Sequence, residues 1–372
     1  MNFDLDEDQQ LLKAAAERFV ADSGGGDLLL RRAARMEPGG FSATNWARLA
    51  ESGVLGLAVS AENGGLGQGT VEIAIVMEAL GRGLAPEPVL DVGIIAAGLI
   101  DSPENAAQHK SLLQDLIRGN TLVSIGHSER EARHSLSWVG TSARPDGETL
   151  RLDGCKIAVM AGGGAQHFVV SARLSGAPGD ADGIGLFLVP AEATGLERHP
   201  YRLADGSLAA ELTLRDVKIP AGSQLAGGFS TLKTVAATAR LAAAAEMLGV
   251  MGLLFDNTLN YVKTRQQFGQ PLGNFQVIQH RMTDAYVQLE QSRSHVMRAA
   301  LAEGAAFAGA AAGAKAFVAE AALGLAHTAV QMHGGMGIAD ELAIGHGLKR
   351  IRVLALCFGD SASALDDYRC AA

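Results

Sequence analysis

The stretch Arg265-Gln266-Gln267-Phe268-Gly269-Gln270-Pro271-Leu272-Gly273-Asn274-Phe275-Gln276 joins two long segments of helical character. The segment before it, about 234–263, is rich in Ala and Leu, and the segment after it, about 275–303, has apolar residues at mostly helical spacing. The Gly and Pro residues between them predict a turn. An Arg at the mouth of such a turn can place a planar, permanently charged group against a phosphate. A helix corner with a solvated Arg is the alternative interpretation.

The composition favours helices over a β-rich protein. Of the 372 residues 48% are hydrophobic, many of them Ala, and only 5% are aromatic. A net charge of −9 argues against a general nucleic-acid binder. No apolar run of about 18 residues and no secretory signal is visible, so we predict no membrane span. The three cysteines lack metal-ligand spacing and suit a reducing cytoplasm, so we expect a cytoplasmic protein without a metal site.

Three regions differ in their sequence texture. Residues 1–118 carry helical patterns, beginning with an apolar helix face at 6–21. Residues 119–226 contain short alternating runs between turn residues, which predicts a small β-sandwich or barrel. Residues 227–372 are helical again, and the Ala- and Gly-rich stretch 305–325 predicts a close-packed helix. The predicted fold class is therefore α+β, mainly α: an N-terminal helical domain, a middle β domain and a C-terminal helical bundle.

Four segments resemble the acyl-CoA dehydrogenase family. RQQFGQPLGNFQ at 265–276 is similar to the family signature RxxFGxxLxxFQ, and the Gly-rich segment 53–67 is similar to GLLGLxxPExxGGxG. QMHGGMG at 331–337 resembles QxxGGxG, and DVKIP at 216–220 resembles the DVxVP exit from the family's middle domain. The resemblance covers essentially the whole chain and implies the same order of helical, β and helical domains.

The resemblance implies that the chain binds FAD. In the family the signature Arg and Phe contact the FAD of a neighbouring subunit, so Arg265 would grip the pyrophosphate and Phe268 would pack near the adenine or ribityl part. Gln331 and Gly335 would meet the same cofactor, although a Gly pair that only ends a helix is the alternative from pattern alone. The cofactor-binding residues implied are Arg265, Phe268, Phe275, Ile278, Gln331, Gly334, Gly335, Ser128, Met160 and Asp360.

Two segments of the middle domain match the family only in part. Ser128-Glu129 stands where the family has Thr-Glu near the flavin ring, and Met160 lies in a segment where the family has Trp-Ile-Thr-Asn. Lys156 just before it is interpreted as a solvated lysine. Arg240 aligns with a substrate-binding Arg of the family, and an ion-paired or capping Arg is the alternative.

The usual catalytic base is missing. The family's reaction removes the α-proton of an acyl-CoA thioester with a carboxylate while the β-hydrogen leaves as hydride to flavin N5. Phe358 stands where the family has this Glu, and Ala239 stands at the family's other base position. Glu246, two helical turns beyond Ala239, and Asp360 are the candidates for a displaced base. Asp360 is equally interpreted as a helix cap.

The function implied is FAD-dependent α,β-dehydrogenation of an acyl-CoA thioester, with an electron acceptor of the electron-transfer flavoprotein type. The Phe-Gly-Asp segment and the absent Trp resemble the small-subunit type of two-component acyl-CoA dehydrogenases, such as the pimeloyl-CoA dehydrogenase small subunit. A homo-oligomer or a heterotetramer with a second acyl-CoA dehydrogenase subunit is expected. The alternatives are an acyl-CoA oxidase or flavin monooxygenase on the same fold, and a non-catalytic FAD-binding partner.

Overall fold

The computed structural model describes residues 4–102 and 105–371. It contains two compact units. The helical unit comprises Met1–Ala33, Thr70–Ala85 and Arg240–Ala372, and the sheet unit comprises Ala34–Gly69 and Pro86–Ala239. The outermost ends of the first and third predicted domains, and residues 103–104 of the first, lie outside the described residues.

Six α-helices precede the sheet in the chain. They are α1 (Glu7–Asp22), α2 (Leu28–Met36), α3 (Ala43–Glu51), α4 (Thr70–Arg82), α5 (Ala97–Ile100) and α6 (Ala106–Ile117). Asp6 begins α1 because its side chain accepts from the Gln9 amide while the Gln9 side chain accepts from the Asp6 amide, a reciprocal cap that the sequence allows. A π-helix, Val89–Ala96, leads directly into α5, and all of its residues are buried.

The middle region forms one mixed sheet. Its strands are β1 (Val123–Gly126), β2 (Ser142–Asp146), β3 (Thr149–Met160), β4 (His167–Arg173), β5 (Ile184–Pro190), β6 (Leu196–Arg202), β7 (Leu208–Pro220) and β8 (Gln224–Leu225). The strand order is β6-β7-β3-β2-β4-β5-β8, and β1 pairs in parallel with β4. Phe168 and Phe187 are fully buried on paired strands and anchor the sheet's core. The predicted middle β region is confirmed.

The C-terminal region is helical except for a short hairpin. Its elements are α7 (Gly228–Thr264), β9 (Gln266–Gln267), β10 (Gln270–Pro271), α8 (Gln276–Ala300), α9 (Ala305–His333), α10 (Ala343–Leu356) and α11 (Ser361–Ala371). The Ala-rich α9 packs against α8, α10 and α11, as its small side chains predict. Gly81 of α4 lies so close to α7 that a Cβ there would stand 2.1 Å from the carbonyl oxygen of Glu246, so α4 and α7 can cross only at a glycine.

Two helices, Gly228–Thr264 and Ala305–Ile338, are long and apolar enough to cross a membrane by length and composition alone. Most of the apolar window of each is buried inside the protein. Buried core helices pass the same test, and the contacts of α9 with three neighbouring helices are of that kind.

Candidate functional site

The turn at 265–276 is a β-hairpin between α7 and α8. The amide of Leu272 donates to the carbonyl of Arg265, and Gln267 pairs with Gln270. Phe268 and Gly269 occupy the two loop positions with φ of 53° and 79°, the pattern of a type I′ turn. A bulky residue at positive φ is strained, and Phe268 is also 91% exposed. The chain therefore holds an apolar ring outward at a local cost.

A small apolar cluster fixes this hairpin against the end of α9. Val262 of α7, Met282 of α8 and Met332 of α9 form its buried centre, with Ile278 partly buried against it. Tyr261 stacks on His333, the last residue of α9, with ring centroids 4.2 Å apart. The two segments that the sequence predicted to touch one cofactor, 265–276 and 331–335, are thus held together within the helical unit.

Several predicted cofactor residues lie on the surface of this region. Gln331, Gly334 and Gly335 are exposed, and Phe275 packs edge-on against Phe268 with centroids 6.2 Å apart. Gly334 ends α9 with φ of 60°, so the helix-ending role of the Gly pair is seen. A Cβ at Gly334 or Gly335 would meet no atom within 4 Å, so the backbone there is open to approach.

Arg265 is the cation of this surface. Its side chain is exposed, and among residues 4–102 and 105–371 it has no hydrogen-bond or ion-pair partner. An exposed guanidinium without a protein partner among the described residues suits a ligand that carries phosphates. The residues present therefore fit the diphosphate end of FAD.

In the sheet unit, Ser128 is exposed between two buried neighbours, His127 and Glu129. This segment directly follows β1, all of whose residues are buried. The amide of Ile157 on β3 donates to the carbonyl of Ser128 over 2.8 Å. The Ser128 hydroxyl has no partner in the described part of the chain, so it is available to a ligand.

Lys156 is not solvated, and that prediction was wrong: its side chain is fully buried. The ammonium donates to Glu129 Oε1 over 2.6 Å and to Ser171 Oγ over 3.0 Å. A third, longer bond of 3.3 Å reaches the carbonyl of His127. A lysine ammonium has three donors, and all three are matched here.

Charge and burial oppose each other in this cluster. Burial lowers the pKa of Lys156 to about 8, even though the Glu129 carboxylate works in the other direction. Burial alone would raise the pKa of Glu129, but the Lys156 ammonium and the hydrogen bonds from Thr141 outweigh it, so the pKa lies below its usual value. Burial, reinforced by the nearby Lys156 charge, lowers the pKa of His127 to about 3 and keeps it neutral.

Met160, the residue predicted to touch the flavin ring, is the last residue of β3. The pairing of β3 with β7 shifts between Lys156 and Val159, so β3 has one extra residue there. Ala158 within this bulge has φ of 50°. Met160 is partly buried beyond the bulge.

The segment 357–360, where the sequence predicts the family's base position, is held by two side chains, those of Lys315 and Arg240. The buried ammonium of Lys315 on α9 donates to the carbonyls of Ala355 and Gly359 over 2.9 and 2.8 Å. Arg240 Nε donates to the carbonyl of Phe358 over 2.9 Å. Phe358 has φ of 53°, a strained value for a residue with a side chain.

Two predicted site residues near this segment have protein partners. Arg240 forms an ion pair with Asp367 of α11, as its alternative interpretation expected. Asp360 caps α11, because its Oδ1 accepts from the Ser363 amide over 2.8 Å. The substrate role of Arg240 and the catalytic role of Asp360 stay predictions.

Glu246 lies in the apolar middle of α7 and is 4% exposed. Arg350 of α10 donates to its Oε1 over 2.6 Å, so the partner that the sequence demanded exists. Its Oε2 is buried and has no hydrogen-bond partner in the part of the chain that the structure describes. The carboxylate is thus half engaged, and its role as a base stays a prediction.

Sequence reasoning missed both buried lysines. Lys315 is the sole charge in the Ala- and Gly-rich stretch 305–319, and such a position requires a buried partner. Lys156 lies three residues beyond the alternating run at 149–153, so its inward face was readable in principle. Their partners are main-chain carbonyls and residues distant in sequence, which no local pattern indicates.

Comparison with known proteins agrees with this architecture. The family model for the acyl-CoA dehydrogenase N-terminal domain matches residues 6–120, and that for the C-terminal domain matches residues 226–368. The probable acyl-CoA dehydrogenase YngJ of Bacillus subtilis is 27% identical over 375 residues, which cover 97% of each chain.

Two solved structures are similar over nearly the whole length. A variant of the Tcur3481-Tcur3483 steroid ACAD is 30% identical with a TM-score of 0.87, covering 98% of this chain and 97% of that one. The ChsE4-ChsE5 complex from Mycobacterium tuberculosis is 25% identical with a TM-score of 0.87 and the same coverage of both chains. The domain matches and the full-length relatives together show that this chain belongs to the acyl-CoA dehydrogenase family, FAD-dependent oxidoreductases of acyl-CoA thioesters.

Proposed function

We propose that this chain is the FAD-holding subunit of a two-component acyl-CoA dehydrogenase in which a partner chain of the same family supplies the base. The observation that carries the proposal is the segment 357–360. Phe358 occupies the family's base position, has no proton acceptor, and is fixed there through its carbonyl by Arg240. Because the backbone is held there, the segment cannot readily shift to bring a different side chain into the position of Phe358.

The nearby carboxylates are committed elsewhere. One carboxylate oxygen of Asp360 accepts a hydrogen bond from the first turn of α11. Glu246 is held by the guanidinium of Arg350, which favours a carboxylate with a structural task over one that must approach a substrate. Its unpartnered Oε2 is the specific feature in favour of the alternative, a displaced base on this chain.

The similar structures support a second component. Two of them carry paired names, Tcur3481-Tcur3483 and ChsE4-ChsE5, and the second is described as a complex. On this chain, the exposed and strained Phe268 and the unpaired Arg265 form a surface that gains stability when covered. We propose that a second family member covers it, that the assembly oxidises an acyl-CoA thioester in the cytoplasm, and that an acceptor of the electron-transfer flavoprotein type removes the electrons.

When bound, FAD supplies the hydride acceptor for the β-hydrogen. The chain's own residues bind and orient it. Arg265 holds the pyrophosphate of the FAD that a neighbouring subunit binds, through charge-assisted hydrogen bonds, and Phe268 packs its ring against that nucleotide. In the sheet unit, Ser128 offers its hydroxyl to the ring of the flavin that this chain binds, and Met160 provides an apolar contact where the family has a Trp.

The visible spectrum of the flavin tests the proposal. We expect the purified chain with FAD to keep its flavin colour with a panel of acyl-CoA thioesters. We expect bleaching when a second family member with Glu at the position of Phe358 is added. If the chain alone bleaches, and Glu246→Gln slows that reaction by at least about 100-fold, Glu246 is the base and the two-component proposal is wrong. Oxygen consumption without an added acceptor would instead indicate an oxidase.

The hairpin arginine gives a separate test of the cofactor surface. We expect Arg265→Ala to weaken FAD binding by about tenfold or more, because a charge-assisted contact is worth about 1.5–3 kcal/mol. Arg118→Ala, an exposed arginine at the end of α6, is the matched control and should leave the dissociation constant unchanged. Equal affinity of the two variants would make Arg265 a solvated helix corner.

A further inference from the structure

The buried cluster around Lys156 has an unusual geometry with respect to Ser128. Of the ammonium's three acceptors, one is the carbonyl of residue 127 and one is the carboxylate of residue 129. The lysine therefore grips the chain on both sides of the exposed Ser128. The amide of Ile157, the next residue of β3, holds the carbonyl of Ser128 itself.

Glu129 extends this grip to a third segment. Its Oε1 accepts from the amide and the hydroxyl of Thr141 over 3.0 and 2.7 Å, and its Oε2 accepts from the amide of Gly140 over 2.9 Å. The carboxylate thus ties the segment 127–129 to the start of β2. The three donors of Lys156 and both oxygens of Glu129 are all used, so the network has no loose member.

The cost of this arrangement argues for a role beyond holding the fold together. A buried ion pair is commonly no more stabilising than apolar residues of the same volume, since both charges lose their hydration. The pair also provides direction, because two of the three Lys156 bonds reach the residues on either side of the exposed Ser128. Sites that bind cofactors need such support, because contacting groups must be held in place by their own neighbours.

We infer that Lys156 and Glu129 form a buried clamp that orients Ser128 toward the flavin ring of FAD, which makes Lys156 a positioning residue. The inference rests on the proposed flavin contact of Ser128. Both side chains of the clamp are buried, so it acts through the chain around Ser128. Neutral His127 belongs to the same network. Its Nδ1 lies 2.9 Å from the Ser171 hydroxyl, which also accepts a hydrogen bond from the Lys156 ammonium.

The test separates positioning from stability with three variants. Lys156→Met removes the ammonium, Glu129→Gln keeps the shape of the carboxyl but not its charge, and the double variant leaves no buried charge. Arg173→Met is the control, because this buried arginine of β4 donates only to carbonyls of residues 137–139 and 175–182. Each protein is measured for thermal unfolding, FAD dissociation constant and flavin absorption spectrum.

We expect both single variants and Arg173→Met to unfold at lower temperature, and the double variant to regain much of that loss. We expect the FAD dissociation constant to rise about tenfold or more in Lys156→Met and to stay raised in the double variant, with a shifted flavin spectrum. Arg173→Met should keep the wild-type spectrum and affinity. Amide hydrogen exchange of the FAD-free chain should show faster exchange at Ile157 in Lys156→Met, a readout that needs no cofactor.

Two results overturn the inference. If the double variant regains wild-type FAD affinity and spectrum together with its stability, the pair is only structural. If Lys156→Met binds FAD as the wild type does, the clamp does not reach the flavin. If the wild type binds no FAD at all, the proposed cofactor role fails and this inference falls with it, an outcome distinct from the other two. Where Lys156→Met does not fold, Glu129→Gln and the double variant decide.

Discussion

Lys156 in the sheet unit and Lys315 in the helical unit are both fully buried, but their ammonium groups are stabilised by different kinds of partner. Lys156 has a carboxylate partner, Glu129, whereas Lys315 donates, among the described residues, to two main-chain carbonyls, those of Ala355 and Gly359. Each holds a segment that the sequence had associated with the reaction. A buried charge can thus be supported by a second charge or by backbone dipoles, with different consequences when it is removed.

The two lysines also differ in the charged groups near their ammonium groups. Burial lowers the pKa of both to about 8. For Lys156 the opposing charge is Glu129. For Lys315, Cys357 and Asp360 favour the ammonium and Arg240 disfavours it, so its net support is weaker. The Ala355 carbonyl belongs to the last turn of α10, where unsatisfied carbonyls and the helix dipole attract a cation.

The largest effect is expected at Lys156. Lys156→Met leaves Glu129 as a buried carboxylate without its counter-charge, so the free energy of unfolding should fall by about 3–5 kcal/mol. Adding Glu129→Gln should return more than half of this loss, because no uncompensated charge remains. Denaturant unfolding of the FAD-free proteins measures both. A double variant no more stable than Lys156→Met would mean that the pair's charges do not interact as the 2.6 Å distance implies.

A smaller loss is expected at Lys315. Lys315→Met removes the donors of two buried carbonyls but strands no charge, so the free energy of unfolding should fall by about 2–3 kcal/mol. The same denaturant experiment applies, with Lys349→Met on the exposed side of α10 as the control. No second substitution can restore this loss, because the acceptors are backbone groups. A loss at Lys315 that exceeds the one at Lys156 would contradict the distinction between the two lysines.

The response to pH gives a third comparison. The folded pKa of Lys156 is about 8 and that of an unfolded lysine about 10.4, so between these values the unfolded chain binds more protons. The contribution of Lys156 to the free energy of unfolding should therefore rise with pH in this window, by at most about 1.4 kcal/mol per pH unit. The difference between wild type and the Lys156→Met/Glu129→Gln double variant should shift in favour of the wild type from pH 8 to 10. A constant difference would exclude a titrating Lys156.

How far the sequence could predict this molecule depends on the range of the interactions. The helix–hairpin–helix around 265–276 was predictable, because the Gly and Pro positions and the helical periodicity are local signals. The start of α11 was predictable for the same reason, because a capping carboxylate accepts from the amide of the residue three positions later. The grip of Lys156 on residues 127–129 was not, because it depends on how β3 and the segment after β1 are placed in the sheet. The strain at Phe268 and Phe358 was equally hidden, since a bulky residue does not favour the positive φ that both adopt.

The smallest effect is expected at Asp360, and it decides between two interpretations of the segment that Lys315 holds. A helix cap needs a side-chain acceptor and not a charge, and Asn caps helices about as well as Asp. Asp360→Asn should therefore leave the free energy of unfolding nearly unchanged, whereas Asp360→Ala should lower it by about 1 kcal/mol, since the Ser363 amide loses its acceptor.

A catalytic base at Asp360 would instead be lost in Asp360→Asn, because Asn keeps the shape of the side chain but cannot take a proton. If the assembled enzyme with Asp360→Asn reduces its flavin at least about 100-fold more slowly while its stability is unchanged, Asp360 is the base, and the segment 357–360 is a displaced active site. If only Asp360→Ala has an effect, and that effect is on unfolding, the carboxylate belongs to α11, and Lys315 holds a segment whose catalytic residue has been replaced by Phe358.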